Sequence, residues 1–167
     1  MIIFIKYFEI DKYMLRRLYP KTYIEYVEIA SEKYDVDEEM IFAIIKNESN
    51  FKNSISSNKG AQGLMQLMET TAIEVAESMG ISNVDLSNPK TNIELGTKYY
   101  ASLYSRYKDE GLALAAYNAG SGNVDKWISS GTLKADGSNI ENIPFKETNM
   151  YVRKVLQAQQ IYQYIYE

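Results

Sequence analysis

Apolar residues recur along this chain at three- and four-residue steps, a period that predicts helices nearly from end to end. Thr22 to Tyr34 carries Tyr23, Tyr26, Val27, Ala30 and Tyr34 on one stripe. Asp37 then reads as an N-cap, with Glu38 and Glu39 in a first turn where the helix dipole favours anions. The helix it opens continues through Met40 to Glu48. Asn, Ser, Lys and Gly dominate from Asn50 to Gly63, which predicts a loop. After Leu64 to Met68, a helix capped near Thr70 or Thr71 is expected to close with Gly80 as its C′ residue. Asn88-Pro89 punctuates the chain again, and Ile93, Gly96, Tyr99, Tyr100, Leu103, Tyr104 and Tyr107 come next as a long apolar and aromatic face. Gly111 to Ala119 is a further apolar helix, broken at Gly120-Ser121-Gly122, and Val124, Trp127 and Ile128 predict a short helix beyond it. Ser129 to Ile143 is polar and holds Gly131 and Gly137, so it reads as a long loop of the kind that often serves function. The last helix shows Tyr151, Val152, Val155, Leu156, Gln159, Tyr162 and Ile165 on its stripe. No run alternates convincingly with period two, and no internal repeat is visible. The pattern predicts an all-α domain with irregular loops.

Composition narrows the chemistry. The 167 residues suit one domain with a real core, and 46% apolar with 24% charged is an ordinary globular balance. There is no Cys and no His. That removes cysteine nucleophiles, Ser-His-Asp triads, disulfides and the usual zinc sites together. A net charge of -4 without a basic block gives no support to a phosphate-tracking role, so no nucleic-acid partner is expected. Met1 to Ile5 is apolar, but Lys6, Glu9, Asp11 and Lys12 interrupt it, well short of the ~20 apolar residues of a membrane span. No export signal is recognisable in this stretch.

Glu48 is the residue that breaks the local rule. It lies seven after Ile41 and four after Ile44, on the face that packs inward. A carboxylate there is costly unless paired or protonated, and burial raises its pKa toward that of a general acid at neutral pH. On position alone, a fraying helix end that lets Glu48 reach water is the commoner case. Met65 as a gap filler and Tyr117 as a core aromatic are likewise the default readings of those residues.

Four stretches taken together change that balance: Glu48-Ser49-Asn50-Phe51, Gly63-Leu64-Met65-Gln66-Leu67-Met68, Ala116-Tyr117-Asn118-Ala119-Gly120, and Glu147-Thr148 with Tyr151-Val152. In this order and spacing they resemble the motifs of the soluble-lytic-transglycosylase (SLT) catalytic domain, a lysozyme-like helical fold related to goose-type lysozyme. The resemblance covers roughly residues 19–166 and implies a globular domain with a substrate cleft. It implies Glu48 as the single catalytic acid and base, with Ser49 supporting the glutamate or the substrate. Met65 is expected to line the cleft, Gln66 to bind sugar, Tyr117 and Asn118 to face Glu48, and Glu147 and Tyr151 to form a pair near the start of the last helix. One departure is visible, Glu69 standing where the family often has Pro.

The implied activity is cleavage of peptidoglycan glycan strands without water, giving 1,6-anhydro ends. A lysozyme-type hydrolase on the same site and a non-catalytic glycan-binding protein are the alternatives. Peptidoglycan is the implied partner, with other cell-wall proteins as further candidates; a monomer is expected, with no cofactor and no metal. Fifteen Tyr suit stacking on sugar rings, although Tyr99, Tyr100, Tyr104 and Tyr107 read better as helix-interface filler. Residues 1–18 are set apart as an N-terminal segment, the remnant of a membrane anchor unless export runs by another route, and 19–167 form the catalytic domain. The expected location is extracytoplasmic and cell-wall associated.

Overall fold

A computed structural model describes residues 12–166. Its helices are α1 (Lys12–Leu18), α2 (Ile24–Tyr34), α3 (Glu38–Glu48), α4 (Glu69–Ser78), α5 (Pro89–Tyr107), α6 (Glu110–Ala119), α7 (Ser121–Ser129) and α8 (Lys146–Tyr166), with one 3-10 turn at Ile140–Asn142. Among the described residues there is no strand, only two isolated antiparallel bridges, Ser56 with Gln62 and Gln62 with Leu67. The all-α expectation holds. No helix there is long and apolar enough to cross a membrane.

Two helices are apolar around their circumference, and both lie inside. Met40 to Ile45 of α3 and Gly111 to Ala116 of α6 are buried without a break. Such helices must be wrapped on all sides, and α8 does so, packing along both while α5 packs on α2 and α6. Each Ile, Leu or Phe fully enclosed this way contributes roughly 1.5–3 kcal/mol. A smaller apolar cluster, Leu67, Ala72, Ala76, Leu86 and Leu95, sits beneath α4. Tyr99 and Tyr117 touch both clusters, with ring centroids 5.2 Å apart.

Local chemistry sets the helix ends. Asn88 caps α5 by accepting the Thr91 N–H at 3.2 Å, with Pro89 in the first turn, and Asp109 caps α6 by accepting the Leu112 N–H at 2.8 Å. Gly80 is the expected C′ residue of α4: at φ 72° its N–H bonds the Glu77 carbonyl while the Ile81 N–H reaches back to Ala76, the paired bonds of a Schellman ending. Other boundaries move. Asp37 holds the N-cap position of α3, but its side chain makes no capping bond. The helix expected to be capped at Thr70 or Thr71 begins at Glu69 after Met68, again without a side-chain cap, so Glu69 sits in a first turn that suits an acid. The polar stretch after Ser129 is less open than its composition suggests, because Leu133 and Ile143 are buried and anchor it. Of the four tyrosines read as filler, Tyr100 is buried but Tyr104 is 42% exposed on the outer face of α5.

Most of the N-terminal segment, residues 1–11, lies outside the described residues. Helix α1 is tied to the far end of the chain. Its Arg16 donates to the Ile165 carbonyl from Nε at 3.0 Å and Nη2 at 2.8 Å, satisfying a helix C-terminus with a cation. Tyr162 and Tyr166 of α8 donate to the carbonyls of Pro20 and Tyr19, each at 3.0 Å.

Candidate active site

Glu48 is the last residue of α3, one turn beyond the fully buried Ile44 and Ile45. Burial pushes its carboxyl up from 4.5 to about 7, an effect partly offset by the approaching Tyr151 hydroxyl. That hydroxyl is buried and falls short of hydrogen-bond geometry with any partner. The charge of Glu48 in turn raises the pKa of both Tyr117 and Tyr151, after the larger effect of their own burial. The structure therefore brings Glu48, Tyr117 and Tyr151 together from three helices. No second carboxylate among the described residues adds to the Glu48 shift.

The backbone leaves Glu48 abruptly. Asn50 and Phe51 both take left-handed φ values, 48° and 63°, and Gln66 takes 48°. Outside glycine this conformation is uncommon, and such strain gathers at functional sites. Phe51 is held by packing against Phe42, ring centroids 6.4 Å apart.

The residues expected around Glu48 are placed unequally. Ser49 is buried and its hydroxyl donates to the Ile45 carbonyl at 3.1 Å, so it closes α3 rather than facing outward. The Met65 side chain, expected to line the cleft, has no exposed surface and fills the notch left by Gly96, where a Cβ would overlap its sulfur. The backbone of Met65 has the larger part: its carbonyl accepts the Tyr117 hydroxyl at 2.8 Å. Gln66 is half-buried, and its Nε2 donates to the carbonyls of Ile55 at 3.0 Å and Gly63 at 2.8 Å. That leaves Oε1 as the atom free to meet a ligand. Asn118 accepts the Thr148 hydroxyl at 2.8 Å and so ties α6 to the start of α8. Glu147 is exposed in the first turn of α8, while its neighbour Thr148 is buried.

One organising residue escapes the motif reading. Asn92 is completely buried; its Oδ1 accepts the Met65 N–H at 2.8 Å, and its Nδ2 donates to the carbonyls of Gln62 at 3.0 Å and Leu86 at 3.1 Å. It lies four residues before Gly96 and seven before Tyr99, on the apolar face of α5, the same kind of exception that singles out Glu48. Among the described residues no group of three or more acidic side chains is arranged to hold a metal ion. A concavity of about 690 Å³ lies elsewhere, between α4 and residues 80–87, and Glu48 is not part of its lining.

Tyr117 links this loop to Glu48, and its removal should be measurable separately from folding. Tyr117→Phe strands the Met65 carbonyl and is expected to lower stability by about 1–2 kcal/mol in chemical denaturation. A variant as stable as wild type would mean that the hydroxyl does not hold the loop.

Known proteins share the sequence and helical fold of this chain. The model of the transglycosylase SLT domain family matches residues 25–139, which takes in Glu48, Gln66, Tyr117 and Asn118 but stops before α8. The soluble lytic murein transglycosylase of Escherichia coli K12 is 32% identical over 156 residues, covering 90% of this chain and 24% of that protein. The membrane-bound lytic murein transglycosylase C of Shigella sonnei is 34% identical over 167 residues, covering 84% of this chain and 46% of that protein. Among solved structures, an inactive mutant of the lytic transglycosylase Slt from Pseudomonas aeruginosa superposes with a TM-score of 0.80 at 35% identity, over 89% of this chain and 25% of that one. The chain thus spans about a quarter of the Escherichia coli protein and of the Pseudomonas aeruginosa structure. Family model, sequence relatives and helical architecture agree, and the chain belongs to the transglycosylase SLT domain family.

Proposed function

We propose that this chain is a lytic transglycosylase domain that cleaves the β-1,4 bond between N-acetylmuramic acid and N-acetylglucosamine in peptidoglycan, working outside the cytoplasmic membrane. The observation that carries the reading is Glu48, a carboxyl held near a pKa of 7 at the inward end of a helix, with the half-buried Tyr117 and Tyr151 close enough to feel its charge. The names of the relatives support the substrate class.

Paired-carboxylate glycosidases use one group as acid and another as nucleophile or base. Here Glu48 serves alone. Protonated, it gives its proton to the glycosidic oxygen as the bond to the anomeric carbon breaks. The 2-acetamido oxygen of the muramic acid stabilises that carbon from the opposite side, as in substrate-assisted glycosidases. The Glu48 carboxylate then takes the proton of the sugar's own 6-hydroxyl as its oxygen closes onto the anomeric carbon. Glu48 ends protonated, no water is consumed, and the product carries a 1,6-anhydro ring.

The other side chains hold this geometry. Tyr151, whose hydroxyl has no partner, can donate to Glu48 once the carboxylate forms. Tyr117 fixes the Met65 carbonyl, and Gln66 Oε1 can accept from a sugar hydroxyl or acetamido N–H. Asn118 and Thr148 keep Tyr117 and Tyr151 in register.

Mass spectrometry of muropeptides released from purified sacculi tests the reading. Anhydro ends, lighter by one water than reducing ends, are expected. Reducing ends would move the assignment to a lysozyme-type hydrolase on the same residues, and glycan binding without release would make this a binding domain.

A further inference from the structure

Helix α1 has no buried side chain. A helix of a globular domain ordinarily turns an apolar stripe inward, and α1 turns most of its own outward. The three most exposed large apolar side chains among the described residues all belong to it: Tyr13 at 67%, Leu18 at 60% and Met14 at 59%. Met14 and Leu18 stand four apart, on one face. Tyr164 near the end of α8 is also exposed, and Lys12 Nζ lies 4.5 Å from its ring centroid, so the patch crosses from one helix to the other. Its charge has one sign. Lys12, Arg16 and Arg17 are basic and α1 holds no acid, in a chain whose net charge is -4. Arg16 is committed to the Ile165 carbonyl, while Lys12 and Arg17 are exposed on the same short helix as the apolar side chains.

The size and charge of the patch select its occupant. A second copy or another protein would need about 800 Å² per partner for a stable interface. A helix this short is only about 10 Å long and presents far less. A lipid surface sets no such threshold, because its binding grows with the apolar area buried and with the charges that meet anionic headgroups. Tyr, Met and Leu set among Lys and Arg suit that boundary, where rings sit at headgroup level and long cationic side chains reach the phosphates. The preceding sequence agrees. Residues 1–11 enter the domain at Lys12, within the patch, and they include Ile2, Ile3, Phe4, Ile5, Phe8 and Ile10. An apolar stretch and a basic helix are two signals that together give stable attachment where either alone is marginal.

We propose that α1 and the end of α8 form a docking face for a membrane surface rich in anionic phospholipid. Met14, Leu18 and the tyrosines lie among the headgroups, and Lys12 and Arg17 meet the phosphates. Lipid binding needs no cleavage, so flotation of the full chain with vesicles reads it directly. Binding is expected to vesicles of phosphatidylglycerol and phosphatidylcholine in equal parts. It should fall at least about tenfold on phosphatidylcholine alone, and weaken as salt is raised. Met14→Ser with Leu18→Ser, and Lys12→Gln with Arg17→Gln, should each bind about tenfold more weakly. All four side chains are exposed, so both double variants should keep the wild-type circular dichroism. The chain has no Cys, so a fluorophore sensitive to its surroundings can be placed on Met14→Cys alone. Its emission should move to the blue on the anionic vesicles, and that of a label on Ser102→Cys, exposed on α5, should not. Wild-type binding retained in full by either double variant, or a label at position 14 that stays in water, would overturn the proposal. So would self-association in sedimentation velocity without any binding to vesicles, which would give the face to a second copy.

Discussion

Glu48→Gln is expected to lose glycan cleavage by at least about 10³-fold and, above neutral pH, to be more stable than the wild type. In the proposed mechanism one side chain does both proton transfers, each of which general acid–base catalysis values at about 10²–10⁴. Glutamine keeps the shape and cannot supply the proton. The gain in stability comes from the raised pKa. The folded protein holds the Glu48 proton up to about pH 7, whereas the unfolded chain releases it near 4.5. Between those values the native state binds the extra proton, so wild-type stability is full below 4.5, falls as pH rises toward 7, and is flat beyond. At 1.36 kcal/mol per pH unit the ceiling is about 3 kcal/mol. Glu48 keeps some contact with solvent, and about 1–2 kcal/mol is the expected gap, or a few degrees in Tm for a domain of this size. Thermal unfolding of both proteins from pH 4 to 8 should show the gap opening across that window. A gap independent of pH would mean that the carboxyl is not desolvated, and would take away the physical basis of the acid.

Gly63→Ala should be the most destabilising small substitution in the molecule. Gly63 has φ 77°, which an L side chain adopts at a cost of roughly 1–2 kcal/mol. A Cβ there would overlap the Asn92 amide and come within 2.6 Å of the Leu86 carbonyl. Displacing Asn92 frees the Met65 N–H and two carbonyls at once, each worth about 1–3 kcal/mol when left unpaired in the interior. A total of about 3–5 kcal/mol is expected in urea denaturation, a large share of the 5–15 kcal/mol that a domain typically has. Gly60→Ala is the control: φ is 88°, and nothing lies within 4 Å of its added Cβ. It should cost about 1 kcal/mol through conformation alone. Similar losses for both variants would mean that backbone strain, and not the Asn92 junction, dominates this loop.

The helices are legible in the sequence because apolar period alone specifies them; α3, α5 and α8 fall where the stripes put them. Glu48 is legible for the opposite reason, as a carboxylate on a stripe that should hold none. Asn92 carries the same signal, but an asparagine shortly after Asn88-Pro89 also reads as ordinary helix-start chemistry. The burial of Met65 depends on Gly96, thirty-one positions away, leaving a notch of the right depth, and a stripe records which face is apolar without recording where it is hollow. Side-chain caps are unevenly legible too: Asn88 and Asp109 make their bonds, while Asp37 holds the cap position and makes none.

Arg16 against the Ile165 carbonyl, and the hydroxyls of Tyr162 and Tyr166 against Pro20 and Tyr19, bring the chain's entrance to this domain beside its exit. A polypeptide that leaves a domain where it came in can carry that domain as a side branch, without lengthening the path between whatever lies before and after it. Such an arrangement tolerates insertion into a larger protein and rejoining of its own ends with little strain.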